Sequence, residues 1–164
     1  MNNKVKLLSY TAIMIALVCV TTMFLSFPVG SLGYLNLGDV VIMIGASIFG
    51  PIPSFLFGGL GSAFADIFLN YSQYAVFSFL IKGSEGLVFS YLFSRNKEMR
   101  AYLAVILILL LGYGAADVIL TGSFASLLPS VFTNSIQALS SVFIALLLVP
   151  MVSKRLRKQI HGSK

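Results

Sequence analysis

The run Tyr102–Leu120, YLAVILILLLGYGAADVIL, contains one charged side chain, Asp117, and decides the class of fold. A helix needs about 20 mostly apolar residues to cross the hydrocarbon core of a bilayer. Similar apolar runs recur from Val5 to Val152, and of the 164 residues 58% are hydrophobic and 10% are charged. Soluble domains are about 45–50% apolar and about 25% charged. The sequence therefore excludes a soluble globular domain and predicts a polytopic membrane protein.

The same length criterion predicts six spanning helices. Pro28 and the glycines after it end the first helix, and Gly50-Pro51-Ile52-Pro53 forces a turn between the second and the third, which we expect to form a helical hairpin. The predicted spans are 5–27, 37–49, 54–69, 74–93, 102–120 and 127–152. We expect an all-α membrane protein with one domain, residues 1–164, built as a six-transmembrane-helix bundle.

The basic residues predict the orientation of this bundle, because cytoplasmic loops are enriched in Lys and Arg. Lys4 and Lys6 lie at the start of the chain, three basic residues lie in 95–100, and a basic tail begins at Lys154. The three loops assigned to the other side contain no Lys or Arg. Both termini are therefore expected to be cytoplasmic. The net charge of +6 fits this topology, and we expect no binding of nucleic acid.

Several kinds of chemistry have no residues to support them. Cys19 is the only cysteine and His161 the only histidine, and no Walker motif or metal-ligand cluster occurs. We expect no metal site, no cofactor in this chain and no catalytic residues. The protein is predicted not to be an enzyme.

Polar residues inside the predicted spans indicate a site. An ionisable side chain at the centre of a spanning helix costs about 2.5–3.5 kcal/mol, so it needs a partner or a function. Most of these residues fall in the outer half of the bundle, which predicts a polar pocket open to the outside. The ionisable residues are Asp39, Asp66, Lys82, Glu85 and Asp117, and the sixth span adds Asn134 and Gln137 on one helical face.

Each of these residues also has a structural interpretation. Lys82 and Glu85, three positions apart, could form an ion pair within their helix. Asp39 could cap a helix at the membrane interface. Asn134 and Gln137 could form hydrogen bonds between helices. Their shared depth favours the pocket.

Two segments contain small residues at helical spacing. Ala12 and Ala16 form a face that another helix could approach closely, either within this chain or on a partner. The segment 58–63, GGLGSA, predicts close helix packing; it is not a phosphate loop, because it lies within a span and lacks the Lys-Ser/Thr ending.

Four segments taken together resemble the substrate-binding S components of energy-coupling factor (ECF) transporters, which capture vitamins in bacteria and archaea. The segments are GYLNLGD at 33–39, FGP at 49–51, GGLGSAFAD at 58–66 and IKGSEG at 81–86. Within that family the chain is most similar to the riboflavin-type sequence group, which also contains transporters for pyridoxine or hydroxymethylpyrimidine.

The resemblance implies a subunit of an ATP-driven importer in a bacterial or archaeal plasma membrane. Ala12 and Ala16 would dock on a membrane-embedded coupling (T) subunit, which is joined to two cytoplasmic ATPase subunits that hydrolyse the ATP. The loop 28–38 would cover a pocket lined by spans four to six.

The resemblance and the polar pattern together give a predicted substrate site. Its residues are Asn36, Asp39, Asp66, Lys82, Glu85, Asp117, Asn134 and Gln137. A pocket of acids, amides and Tyr or Phe rings without Trp suits a small heteroaromatic ligand, so pyridoxine or hydroxymethylpyrimidine is expected first and riboflavin next.

A different class of function also fits some of these residues. Asp66, Glu85 and Asp117 could relay protons in a stand-alone proton-coupled carrier of a small polar solute. No internal inverted repeat is visible in the sequence, which favours the binding subunit.

Overall fold

The computed structural model describes residues 3–28 and 34–161, with side chains described for 4–27 and 36–153. A short antiparallel hairpin joins the first two helices, and single 3-10 turns, Ser72–Tyr74 and Phe124–Ser126, precede the fourth and the sixth. The helices are α1 (Asn3–Phe24), α2 (Gly38–Ala46), α3 (Pro51–Phe68), α4 (Ala75–Ser94), α5 (Glu98–Thr121) and α6 (Leu127–His161); the strands are β1 (Ser26–Pro28) and β2 (Tyr34–Asn36). The protein is an all-α membrane protein apart from this hairpin.

Five of these helices, all except α2, are long and apolar enough to cross a membrane. They agree with five of the predicted spans, although α1 ends earlier because Ser26–Pro28 pairs with Tyr34–Asn36. The predicted span 37–49 contains only the nine-residue helix α2. At 1.5 Å per residue this helix is about 13 Å long, less than half of the hydrocarbon core.

The apolar sequence of α2 reflects burial inside the bundle. Seven of its residues, including Ile42 and Met43, are buried, so its surface faces other helices. The helix stops because the chain turns after Ala46: the N–H groups of Ile48 and Phe49 donate to the Gly45 carbonyl at 2.9 and 2.8 Å. Gly50 then leads into α3, whose first residue is a proline.

Contacts between successive helices show that the helix direction alternates along the chain. Thr22 at the end of α1 lies beside Gly38 at the start of α2. Tyr74 at the start of α4 bonds to Asp117 near the end of α5. The start of α1 and the end of α6 therefore lie at one end of the bundle, and the β1–β2 hairpin lies at the other.

Helices α3 and α4 pack closely because glycines face backbone across their interface. A Cβ atom at Gly58 would lie 2.5 Å from the Lys82 carbonyl oxygen, and one at Gly86 would lie 2.4 Å from the Ser54 carbonyl oxygen. The close packing predicted for 58–63 is confirmed at Gly58. This contact also fixes the backbone that carries Lys82.

Candidate functional site

A cavity of about 50 Å³ lies toward the hairpin end of the bundle. All six helices except α2 contribute to its wall, together with β2 and the turn before α4. Of the eight predicted substrate-binding residues, six line this cavity: Asn36, Asp66, Lys82, Asp117, Asn134 and Gln137. The other two, Asp39 and Glu85, do not line it and instead contact Lys82.

Seven further residues line the cavity and were missed by the sequence reasoning. Several of them lie one helical turn from a predicted residue, as Ser78 does from Lys82 and Tyr113 does from Asp117. That spacing is the signal that could have identified them. The residues are Thr22, Ser62, Tyr71, Tyr74, Ser78, Tyr113 and Thr133.

Lys82 lies at the centre of a buried ion cluster. Its ammonium group donates to Oδ1 of Asp39 and lies 3.7 Å from Oε2 of Glu85. Lys82 is 3% exposed, and Asp39 and Glu85 are each 0% exposed. The ion pair expected within α4 is therefore present, and a second carboxylate from α2 joins it.

Asp39 accepts hydrogen bonds from side chains inside the bundle and is not an interfacial helix cap. Leu37 occupies the capping position of α2, and the Asp39 side chain does not cap the helix. The Oδ2 atom of Asp39 instead accepts from Gln137 Nε2 at 2.6 Å and from Ser141 Oγ at 3.4 Å. The capping interpretation was wrong because α2 is buried rather than placed at the membrane surface.

Gln137 joins the segment before α2 to α6. Its Oε1 accepts from the Asn36 N–H at 2.8 Å, and its Nε2 donates to the Asn36 carbonyl at 2.7 Å. The Asn36 side chain in turn accepts from the Gly38 N–H at 2.8 Å. Residues 29–33 of the loop expected to cover the pocket lie outside the described residues, and these contacts fix the end of that loop at the cavity.

On the wall formed by α4 and α5, hydroxyl and carboxyl groups lie opposite each other in pairs. The Tyr74 hydroxyl donates to Oδ1 of Asp117, and the Ser78 and Tyr113 hydroxyls lie 2.8 Å apart. The ammonium of Lys82 is 5.5 Å from the centre of the Tyr113 ring. Polar and aromatic groups therefore alternate down one side of the cavity.

Of the predicted site residues on α4 and α6, Lys82, Glu85, Asn134 and Gln137 do not all face one another. Gln137 reaches the Lys82 cluster through Asp39. The Asn134 amide donates to the Ser130 carbonyl at 2.9 Å, within its own helix. Glu85 is fully buried, and both of its carboxylate oxygens lack a hydrogen-bond partner. Glu85 thus lies beside Lys82 and does not line the cavity wall.

The small-residue face of α1 is exposed. Both Ala12 and Ala16 are exposed, and so are Ile13 and Leu17 beside them. Within the described part of the chain, these two alanines are not covered by another helix. Packing within the chain does not explain this face.

Comparisons with known proteins agree with the motifs in the sequence. The family of ECF-type riboflavin transporter S components matches residues 2–157. An uncharacterized protein in the gap 3′ region of Pyrococcus woesei is 36% identical over 133 residues, which cover 77% of this chain and 88% of that protein. The thiamine precursor transporter HmpT of Lactococcus lactis subsp. cremoris (strain MG1363) is 28% identical over 155 residues, covering 93% and 91% of the two chains.

Proposed function

Because this chain belongs to the family of ECF-type riboflavin transporter S components, we propose that it captures a small heteroaromatic vitamin or vitamin precursor for an ATP-driven importer. Members of this family are transporter subunits and not enzymes. The observation that carries the proposal is the cavity, where carboxyl, amide, hydroxyl and tyrosine side chains from five helices converge inside a membrane protein. Sites for small ligands combine such a concave shape with a few convergent polar groups.

Hydroxymethylpyrimidine or pyridoxine is the ligand we propose first, and riboflavin the second. The similarity to a thiamine precursor transporter over 93% of the chain supports this order. Tyr71, Tyr74 and Tyr113 offer ring surfaces for stacking, and the amides and hydroxyls offer donors and acceptors. A single substituted pyrimidine or pyridine ring can use both kinds of group at once.

We propose the eight predicted residues as the substrate site, divided into two parts. Six of them line the cavity and would contact the ligand, whereas Asp39 and Glu85 would hold Lys82 in place. The chain would form a single domain, residues 1–164. In this arrangement the chain would cross the membrane six times. The second crossing would be made by α2 and the turn after it, because the helix direction alternates at α2.

The basic residues support an orientation with both termini in the cytoplasm of a bacterial or archaeal cell. The cavity then opens toward the outside. The exposed Ala12 and Ala16 would dock on the membrane-embedded T subunit. This chain would bind no cofactor, and two ATPase subunits would hydrolyse the ATP. Small residues allow the close helix approach that such docking needs.

The test is purification from native membranes followed by mass spectrometry of the small molecules released on denaturation. We expect T and ATPase subunits to copurify, and we expect hydroxymethylpyrimidine or pyridoxine among the released molecules. Uptake by the complex in liposomes should require ATP on the cytoplasmic side. Uptake by the chain alone, driven by a proton gradient, would instead identify a proton-coupled carrier.

A further inference from the structure

Acidic groups outnumber basic groups around the cavity. Asp66 and Asp117 line it, and Asp39 and Glu85 lie against Lys82 beneath it. Residues 7–94 contain no Lys or Arg besides Lys82, and residues 101–153 contain none. One basic group therefore serves four carboxyl groups in this part of the protein.

Lys82 is already committed to the two carboxyl groups beneath the cavity. Its ammonium group donates to Asp39 and is 3.7 Å from Glu85. The ion pairs that join Lys82 to Asp39 and Glu85 do not reach Asp117 on the cavity wall. A buried charge without a compensating charge is costly, by several kcal/mol per ion.

Asp117 is a carboxyl group on the cavity wall, and no basic side chain among the described residues forms an ion pair with it. Its side chain is 1% exposed, and its Oδ1 accepts a hydrogen bond from the Tyr74 hydroxyl, which is a neutral donor. A hydroxyl group can satisfy an oxygen lone pair but cannot neutralise a charge. The charge balance at Asp117 is completed if the ligand itself is positive.

The aromatic residues of the cavity also suit a cation. Tyr71, Tyr74 and Tyr113 line it, and the negative face of a tyrosine ring attracts cations. The Lys82 ammonium already lies 5.5 Å from the Tyr113 ring centre. A planar cation can stack on such a ring while its N–H edge faces a carboxylate.

We infer that the cavity binds its ligand as a cation, a planar nitrogen heterocycle protonated on the ring, with the Asp117 carboxylate as counter-ion. This inference rests on the proposed function and specifies the charge state of its substrate. The ligand arrives already protonated, and no proton passes to or from the protein. The inference favours pyrimidines and pyridines that accept a proton in mild acid over the uncharged ring of riboflavin.

The test uses 4-amino-5-hydroxymethyl-2-methylpyrimidine as the probe, with calorimetric titration of the purified chain in detergent. Titrations are run on the acidic and on the alkaline side of the probe's own pKa. We expect the protonated probe to bind at least about tenfold more tightly, which corresponds to about 1.4 kcal/mol. Asp117→Asn should remove this preference by weakening the binding of the protonated form.

Other ionisable groups facing Asp117 require a control variant. These groups are Asp39, Asp66, Lys82 and Glu85, and the tyrosines 71, 74 and 113; α1 and α6 contribute only the uncharged Thr22, Thr133, Asn134 and Gln137. Asn134→Ala changes the cavity wall without changing its charge, so it should retain the preference for the protonated probe. Loss of the preference in this variant as well would overturn the role of Asp117.

Equal affinity for both forms of the probe in the unsubstituted protein would overturn the inference. If Asp117→Asn does not fold, the unsubstituted protein is titrated with the 4-oxo analogue of the probe, which stays unprotonated. Binding of this analogue as tight as that of the protonated probe overturns the inference. Binding of riboflavin but of neither the pyrimidine nor pyridoxine would also overturn it and leave the proposed function intact. Binding of none of the three would reject the proposed function too.

Discussion

Gln137 holds the backbone of Asn36 with both ends of its amide group. Its Oε1 accepts from the Asn36 N–H at 2.8 Å, and its Nε2 donates to the Asn36 carbonyl at 2.7 Å. The same Nε2 donates to Oδ2 of Asp39 at 2.6 Å, and the other carboxylate oxygen, Oδ1, accepts from Lys82. One side chain on α6 thus connects the end of β2 to the ion cluster around Lys82.

The first prediction concerns this connection. Gln137→Ala removes the bonds to Asn36 and Asp39, and each bond contributes about 0.5–1.5 kcal/mol. We expect the bound ligand to dissociate at least about tenfold faster, because the loop end loses its attachment. Stopped-flow measurement of the dissociation rate checks this. The matched control is Ser140→Ala, whose exposed hydroxyl bonds only within α6 and whose loss should leave the rate unchanged.

The second prediction compares the two carboxyl partners of Lys82. Asp39 accepts hydrogen bonds from Lys82, Gln137 and Ser141, whereas neither oxygen of Glu85 has a hydrogen-bond partner. Breaking a buried ion pair costs about 3–5 kcal/mol, so Asp39→Asn should destabilise the protein strongly. Glu85→Gln keeps the shape and the Lys82–Asp39 pair and removes only the longer 3.7 Å contact with Lys82, so it should destabilise the protein less than Asp39→Asn does.

Thermal unfolding in detergent ranks these two variants. Ligand titration adds a second measurement, because Glu85 does not line the cavity. The folded Glu85→Gln protein should bind its ligand with the affinity of the unsubstituted protein. A fall of tenfold or more would place Glu85 in contact with the ligand.

The third prediction tests the contact that positions Lys82. A Cβ atom at Gly58 would lie 2.5 Å from the Lys82 carbonyl oxygen, so Gly58→Ala must push α3 and α4 apart. Overpacking of this kind costs about 1–3 kcal/mol, and we expect a lower unfolding temperature together with weaker ligand binding. Gly50→Ala is the matched control, since nothing lies within 4 Å of a Cβ atom there. Equal effects of the two substitutions would show that the close packing at Gly58 does not matter.

These contacts also show which features the sequence could predict. The Lys82–Glu85 contact follows from a spacing of three residues on a helix, and the five long helices follow from their apolar runs. The Asp39–Lys82 pair joins residues 43 positions apart, so only the packed structure reveals it. The length of α2 could not be predicted either, because an apolar run has the same composition whether it faces lipid or the interior of a bundle.

The fourth prediction concerns the orientation. Three variants are made, each with one cysteine introduced, at Ser31, Ser72 or Asn96. Intact cells that contain one of these variants are treated with a thiol reagent that cannot cross the membrane. Cysteines at 31 and 72 should react from outside, whereas a cysteine at 96, beside the basic residues of the α4–α5 loop, should not. The native Cys19 is buried and serves as the background measurement. Reaction at position 96 from outside would reverse the proposed topology.

The last prediction separates capture of the ligand from its transport. Ala12 and Ala16 are exposed on α1 and do not line the cavity, so Ala12→Trp or Ala16→Trp should leave ligand binding by the isolated chain unchanged. A bulky ring on a small-residue face prevents close approach of a partner helix, and ATP-dependent uptake by the reconstituted complex should be lost. The control is Leu107→Trp on α5, a position that is 58% exposed and away from α1, where uptake should persist. Copurification of the T subunit adds a direct readout of docking, because it should fail with the two alanine variants and succeed with the control. Normal uptake in both alanine variants would move the docking surface to another part of the protein.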